Sequence, residues 1–404
     1  MKPTTMIAAA VLLAGMAAPA AAQMANPTVK IGVLSDMSSL YADIGGAGSV
    51  VAAKMAVADF GGTVNGEKIE VVSADHQNKP DVGAGIARRW YDQDGVDVIV
   101  DVPTSSVALA VQDVAREKGK VFLISGAGSS DLTGKACSPT GIHWTYDTYA
   151  LAHGTGSALV KQGGNTWFFI TADYAFGHAL QHDTAAVVTA EGGKVLGSVN
   201  VPLNTADFSS YLLQAQQSKA KIIGLANAGG DTDNSIKQAA EFGIVAGGQR
   251  LAGLLVFISD VNSLGLKSAQ GLVLTSAFYW DQNEATRAWS KRYMAQTHKP
   301  PTMVQAGVYG SIMHYLKAMA AVKTDKGLAV VNEMKKMPIN DFMTKNGKVR
   351  EDGRVMRDMY LFQVKSPAES KYQFDYLKQL AVIPAAEAFR PLSDSACPLV
   401  KKKS

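Results

Sequence analysis

From Val29 onward, short runs of β-branched and aromatic residues alternate with longer amphipathic stretches, and this narrows the possible folds more than any other feature of the chain. Parallel neighbours in a sheet need a crossover long enough to return the chain to the same end, so such alternation reads as parallel sheets with helices on both faces. Strands are predicted over residues 29–34, 68–74, 97–102, 121–125, 166–171, 194–201, 222–226 and 271–277. Helices are predicted over 48–60, 83–92, 107–118, 149–162, 177–191, 208–218 and 234–242. The pairs Gly163-Gly164 and Gly192-Gly193 mark helix ends, where glycine takes the left-handed conformation without a Cβ penalty.

A chain of 404 residues is too long for one comfortable core, and two domains are the default. Near residues 143–147 the first alternating set gives way to a second. After residue 277 come two helices broken at Lys299-Pro300-Pro301, then a hairpin or crossover over 342–353 and strand-rich residues from 348 to 364. A second sheet that is interrupted and later completed implies three crossings between lobes. The expected fold class is therefore α/β, with two doubly wound Rossmann-like lobes joined by three hinge crossovers. The first lobe is assigned residues 27–147 plus 278–347, the second 148–277 plus 348–391, and 392–404 form a tail.

The amino terminus carries Lys2, an apolar stretch from Met6 to Met16, and Ala20-Ala21-Ala22, the three regions of a secretory leader cleaved near Ala22. The apolar stretch is shorter than a bilayer span, so residues 1–22 are expected to be removed on export to the periplasm. Hydrophobic residues make up 47% and charged residues 18%, an ordinary globular balance. A net charge of +4 without a basic stripe gives no support for nucleic-acid binding, and Lys401-Lys402-Lys403 reads as a solvated tail. The two cysteines, Cys137 and Cys397, each lie beside or near proline in loop-like surroundings. An oxidising compartment favours a disulfide between them; the alternative is two unpaired buried thiols.

Enzyme signatures are missing. There is no G-x-S-x-G elbow, and each Gly-Lys pair lacks the Ser or Thr of a phosphate loop. His178 and His182 are four residues apart on one predicted helix, but no third ligand follows, and a solvated helix face explains them better. No catalytic activity, cofactor or metal is expected.

Four segments, "KIGVLSDMSSLYADIGGAGSVVAAKMAVADFGG" from Lys30, "VDVPTSSVALAVQDVAREKGKVFLISGAGSSDLTG" from Val100, "FFITADYAFGHAL" from Phe168 and "AGVYGSIMHYLKAM" from Ala306, are specific in their order and spacing. In them the chain resembles type I periplasmic solute-binding proteins of the leucine/isoleucine/valine-binding group. The resemblance implies a ligand cleft between two lobes, a monomer, and delivery of a small molecule to an ABC permease and its ATPase. A sensor that docks onto a membrane receptor is the alternative use of the same architecture.

Open parallel sheets independently place ligands at the carboxyl ends of their strands, where helix N-termini offer free N–H groups. Three loops fit this placement, residues 38–48 after the first strand, Thr104-Ser105-Ser106 after 97–102 and residues 126–130 after 121–125, although hydroxyls at 104–106 also serve as helix caps. By resemblance, Thr104 or Ser105, with Ala127 and Ser129, hold the ligand's main polar group. Phe176 and Ile44 stand where the family has tyrosines, Tyr309 keeps a family tyrosine, and Tyr41 lies close by. The family's ammonium-binding acid has no counterpart in residues 254–258, where Phe257 is either a cleft residue or core. Asp231 is either a substitute acid or the cap of a helix starting at Asn234. Losing that acid shifts the expected cargo from an amino acid to an aromatic or branched apolar carboxylate, because a buried unpaired ammonium is costly.

Overall fold

A computed structural model describes residues 27–401, and the expected leader at residues 1–22 lies outside them. The first sheet contains β1 (Thr28–Ser35), β2 (Thr63–Val64), β3 (Glu67–Asp75), β4 (Val96–Asp101), β5 (Val121–Ile124) and β6 (Gly141–His143) in the order β2-β3-β1-β4-β5-β6. All its pairings are parallel except that of β2 with β3. Every residue of β4 and β5 is buried, as expected for strands covered on both faces. The second sheet contains β7 (Thr166–Ala172), β8 (Lys194–Val201), β9 (Ile222–Ala226) and β10 (Arg250–Gly253) in the parallel order β10-β9-β7-β8.

Both sheets reverse their winding direction once. In the first, the chain moves from β1 out to β3 and then returns to the other side of β1 as β4. In the second, β8 and β9 flank β7 in the same way. Each reversal opens a crevice at the carboxyl ends of two neighbouring strands.

The remaining strands are β11 (Val273–Ser276), β12 (Lys348–Val349), β13 (Val355–Met356), β14 (Met359–Val364) and β15 (Leu377–Ile383). β11, β14 and β15 form an antiparallel sheet, while β12 and β13 form a hairpin. That hairpin does not leave the first lobe where the sequence division at 347/348 put it. Arg354 bridges to His143 at the edge of the first sheet, donates to the Tyr146 carbonyl at 2.9 Å and pairs with Asp147 at 3.5 Å. The guanidinium is fully buried, and these acceptors hold the hairpin against the first lobe through Arg354.

Other departures have local causes. The predicted helix over 149–162 is α-helical at Thr148–Leu151 and Ser157–Lys161, with a π-helical turn at Ala152–Gly156 between them. Gly154 in that turn packs so closely that a Cβ would stand 2.1 Å from the Thr275 hydroxyl. The helix expected from Asn234 begins four residues earlier, as Gly230–Glu241. The glycine stops at Gly163 and Gly192 do adopt left-handed φ values of 90° and 83°. Cys137 and Cys397 form a disulfide that ties the tail to the loop after β5.

Candidate functional site

The loops at the two crevices face each other across a closely packed cavity of about 10 Å³. The first lobe contributes Tyr41 and Ile44 after β1, Pro103 after β4, Gly126 after β5, and Tyr146 beyond β6. The second contributes Tyr174 and Phe176 after β7, Ala228 after β9, and Leu255 and Phe257 after β10. A wider groove of about 410 Å³, open to solvent, lies on the other side of the loop after β1 and is lined by polar groups including Asp43, Asn262 and Lys299. The smaller cavity is the better candidate site, because both winding reversals converge on it and its walls are apolar with a few polar groups.

Each wall is positioned by local chemistry. The Asp36 carboxylate accepts the backbone N–H groups of Ser39 and Tyr41 at 2.9 and 2.8 Å and the Asn78 amide at 2.7 Å, folding the loop that presents Tyr41. The Thr302 hydroxyl donates to the Ile44 carbonyl at 2.7 Å. The Tyr146 hydroxyl donates to the Gly126 carbonyl at 2.6 Å, and its ring meets Phe257 edge-on with centroids 6.2 Å apart. Gly128 leaves room for rings: a Cβ there would stand 2.9 Å from both Phe176 and Tyr146.

The lobes touch across the cavity. The Tyr41 and Tyr174 hydroxyls are 2.7 Å apart, and Gly229, at a left-handed φ of 58°, lies against the Leu40 carbonyl and the Tyr41 ring. Burial raises both phenols of this pair well above their usual range, so they stay neutral and can both donate and accept.

The hydroxyls named in the sequence sit deeper than this wall. Ser105 is fully buried, and its Oγ accepts the N–H groups of Gly128 and Ser129 at 3.2 and 3.1 Å. With both acceptor positions used, its own proton remains available for an acceptor. Ser129 Oγ accepts the Asp131 N–H at 3.3 Å, and the Thr104 hydroxyl donates to the Asn78 side chain. Ala127 is fully buried, with its carbonyl 2.7 Å from His143 Nε2. The structure thus brings Tyr41, Ile44, Phe176 and Phe257 to the cavity and sets Thr104, Ser105, Ala127 and Ser129 in the loops behind it.

Two expected residues stand elsewhere. Asp231 lies in the first turn of helix Gly230–Glu241, and its carboxylate accepts the N–H groups of Asn204 and Thr205 at 3.1 and 3.0 Å. It is neither a cavity acid nor the cap of a helix starting at Asn234. Tyr309 points the other way along its helix, donating to Asp59 at 2.7 Å and packing on Trp289 and Phe342, because that helix face is covered by its own lobe. Tyr146, Tyr174, Pro103 and Ala228 were not singled out from the sequence, whereas Gly126 opens one of the three candidate loops and Leu255 lies in the stretch 254–258. Tyr174 stood two residues from Phe176 in a quoted segment, whereas nothing local distinguished Tyr146, Pro103 and Ala228.

The model of the family described as "periplasmic binding protein" matches residues 28–371. The chain belongs to the periplasmic binding protein family. This binding protein is 54% identical to a periplasmic binding protein of Burkholderia mallei, with a TM-score of 0.91 over 93% of this chain and all of that one. It is 40% identical, with a TM-score of 0.83 and the same coverage, to a Burkholderia xenovorans branched-chain amino acid ABC transporter ligand-binding protein. A Rhodopseudomonas palustris solute-binding protein in complex with 3,4-dihydroxybenzoic acid shares the fold, at 23% identity and a TM-score of 0.80 over 89% of this chain and 98% of that one. A curated relative, a Leu/Ile/Val-binding protein homolog of Brucella abortus, is 24% identical over 61% of this chain, and the match spans 63% of that relative's length. All four are named as binding proteins and none as an enzyme.

Proposed function

We propose that this periplasmic binding protein captures a small organic acid, with aromatic or branched apolar carboxylates favoured, and hands it to an ABC permease and its ATPase. The observation that carries the reading is the cavity wall. Tyr174, Phe176, Leu255 and Phe257 form its second-lobe side, and Asp231, the one acid offered as a substitute for the family's, is turned to the backbone of residues 204 and 205. Asp231 lies near enough to raise the Tyr41 and Tyr174 phenols, but its oxygens are hydrogen-bonded to its own loop, which leaves an ammonium ion without a carboxylate in direct contact on that side. The first-lobe loops supply donors suited to a carboxylate, including the free Ser105 proton and the start of helix Ser105–Lys118. The dihydroxybenzoate held by the Rhodopseudomonas palustris protein supports the same class of cargo on this fold.

In this mechanism the lobes rotate about the crossovers, and closure buries the acid between the crevices. The Tyr41–Tyr174 contact joins the lobes in the closed form. Amino acid transport is the second reading, favoured by the branched-chain amino acid transporter component that is 40% identical. Titration calorimetry with benzoate, 4-hydroxybenzoate, 3-phenylpropanoate and leucine separates the two. Binding of the acids with none of leucine is expected; tight leucine binding with inert acids refutes the first reading.

A further inference from the structure

The C-terminal tail joins the two lobes. β15 ends at Ile383, in the antiparallel sheet that meets the second lobe where the Thr275 and Thr155 hydroxyls are 2.9 Å apart. From there residues 384–397 run to the disulfide at Cys137, in the first-lobe loop between β5 and β6. That loop is fixed to its own lobe, because Gln112 on helix Ser105–Lys118 donates to the carbonyls of Leu132 and Ala136 at 3.1 and 2.6 Å. The second lobe holds the tail as well. Arg390 donates to Asp183 at 3.0 Å, on helix Ala175–Ala190 after β7, and its guanidinium lies 4.7 Å from the centre of the Tyr149 ring.

Between these anchors the tail packs on the hinge. The Ala385 N–H donates to the Asp358 carboxylate at 3.0 Å, the Arg354 guanidinium stands 4.6 Å from the centre of the buried Phe389 ring, and Arg350 donates to the Arg390 carbonyl at 2.7 Å. Asp183 also accepts the hydroxyls of Thr148 and Ser130 at 2.6 and 2.8 Å, and Ser130 belongs to the same first-lobe loop as Cys137. Only residues 391–396 lie between the Arg390 anchor and Cys397, and they include Pro391 and the 3-10 turn Leu392–Asp394. Proline fixes its φ, and a 3-10 turn spans less distance per residue than extended chain, so this stretch has little slack. To part further than that slack allows, the lobes must unwind the turn or pull Arg390 from Asp183.

A cavity of about 10 Å³ holds no more than a water molecule, so an organic acid enters only when the lobes part. We propose that residues 384–397 are a strap across the hinge: closed by the Cys137–Cys397 bond, it limits how far the lobes swing apart and so raises the affinity for the cargo. This rests on the reading that lobe rotation captures the ligand. The crossovers permit rotation, and the bond adds a further covalent connection beside the point where both lobes meet Asp183. A wider open ensemble loses more conformational freedom on closure, and the fraction of protein ready to close falls with it.

The test compares the parent with two variants. Cys137→Ala together with Cys397→Ala removes the bond, whereas a Gly-Ser-Gly-Ser insertion after Ser395 keeps the bond and adds slack. Small-angle scattering of the protein without added ligand reads the opening, and calorimetry with benzoate, 4-hydroxybenzoate, 3-phenylpropanoate and leucine reads the affinity. Both variants are expected to have a larger radius of gyration than the parent, and a probe that binds the parent is expected to bind each of them about fivefold more weakly. The insertion serves as the test if the alanine variant fails to fold. A change confined to the alanine variant assigns the bond to local stability and overturns the strap. Scattering or affinity that matches the parent in both variants overturns it as well. If none of the probes binds, the reading of the cargo falls, while the scattering alone still decides the strap.

Discussion

The first lobe meets the cavity with two phenols, Ile44, Pro103 and the Gly126 backbone, backed by short hydroxyl side chains whose hydrogen bonds are largely made within the lobe, whereas the second meets it with rings and aliphatic groups. On the first side Asp36 gathers the loop of Tyr41, Ser105 gathers residues 128 and 129, and Ser129 caps the turn that follows. On the second side Tyr174, Phe176, Leu255 and Phe257 are held by packing, and the nearby acid Asp231 serves its own loop. Polar groups that must meet a ligand at fixed angles need a scaffold that pre-orders them, while an apolar wall needs only the right shape. The first lobe is thus built to orient a polar head, and the second to enclose an apolar body.

The largest test of this contrast removes the meeting of the walls. Gly229→Val places a side chain against the Leu40 carbonyl, which is already only 2.7 Å from a bare Cβ. Affinity for a bound acid should fall about a hundredfold, because the closed state becomes inaccessible. Small-angle scattering should then show no ligand-induced compaction. Ser105→Ala strikes the pre-ordered side, leaving two buried N–H groups without an acceptor. It should cost about 2–4 kcal/mol in denaturant unfolding, in addition to weakening binding.

Asp231→Asn probes whether the second lobe's acid is structural. Burial lifts the Asp231 carboxyl from 3.8 to about 6, with the Asn204 and Thr205 N–H groups opposing. The folded chain therefore holds that proton more tightly than the unfolded chain does. Relative to the variant, the parent should gain about 2 kcal/mol as pH falls from 7 to 4, with no further gain below the unfolded value. Thermal unfolding of both across that range checks the sign. Tyr174→Phe deletes one partner of the hydroxyl pair that spans the cavity and should weaken ligand binding by about 1 kcal/mol. Tyr309→Phe is expected to leave affinity within about twofold, since its hydroxyl serves Asp59 on the far side of the lobe. A strong effect there would return Tyr309 to the site.

Much of the fold was legible because its signals are local. β9 was read to the residue from its apolar run, and the breaks at Gly163, Gly192 and Pro300-Pro301 fall where helices end. Short edge elements escaped, notably β6 with three residues and β10 with four, because a run so brief has no periodicity to read. At the site, Ile44 and Phe176 were named because they stand at family tyrosine positions, Tyr41 because it lies close to Ile44, and Phe257 because it lies beside the place of the family's acid. Tyr146 was missed because it lies in a crossover, where neither helical nor strand spacing marks a face.

The sequence by itself determined the alternation of strands and helices, the two-lobe division and the lack of an acid in residues 254–258, since each is written in residue type and spacing. Tertiary structure alone decided which way Asp231, Tyr309 and Ser105 turn their polar groups, and that Arg390 in the tail meets Asp183. Those outcomes depend on partners 27 residues away for Asn204 and Asp231 and 207 for Asp183 and Arg390. A side chain's hydrogen bonds are fixed by what the fold brings within 3 Å of it, and no local pattern encodes that distance.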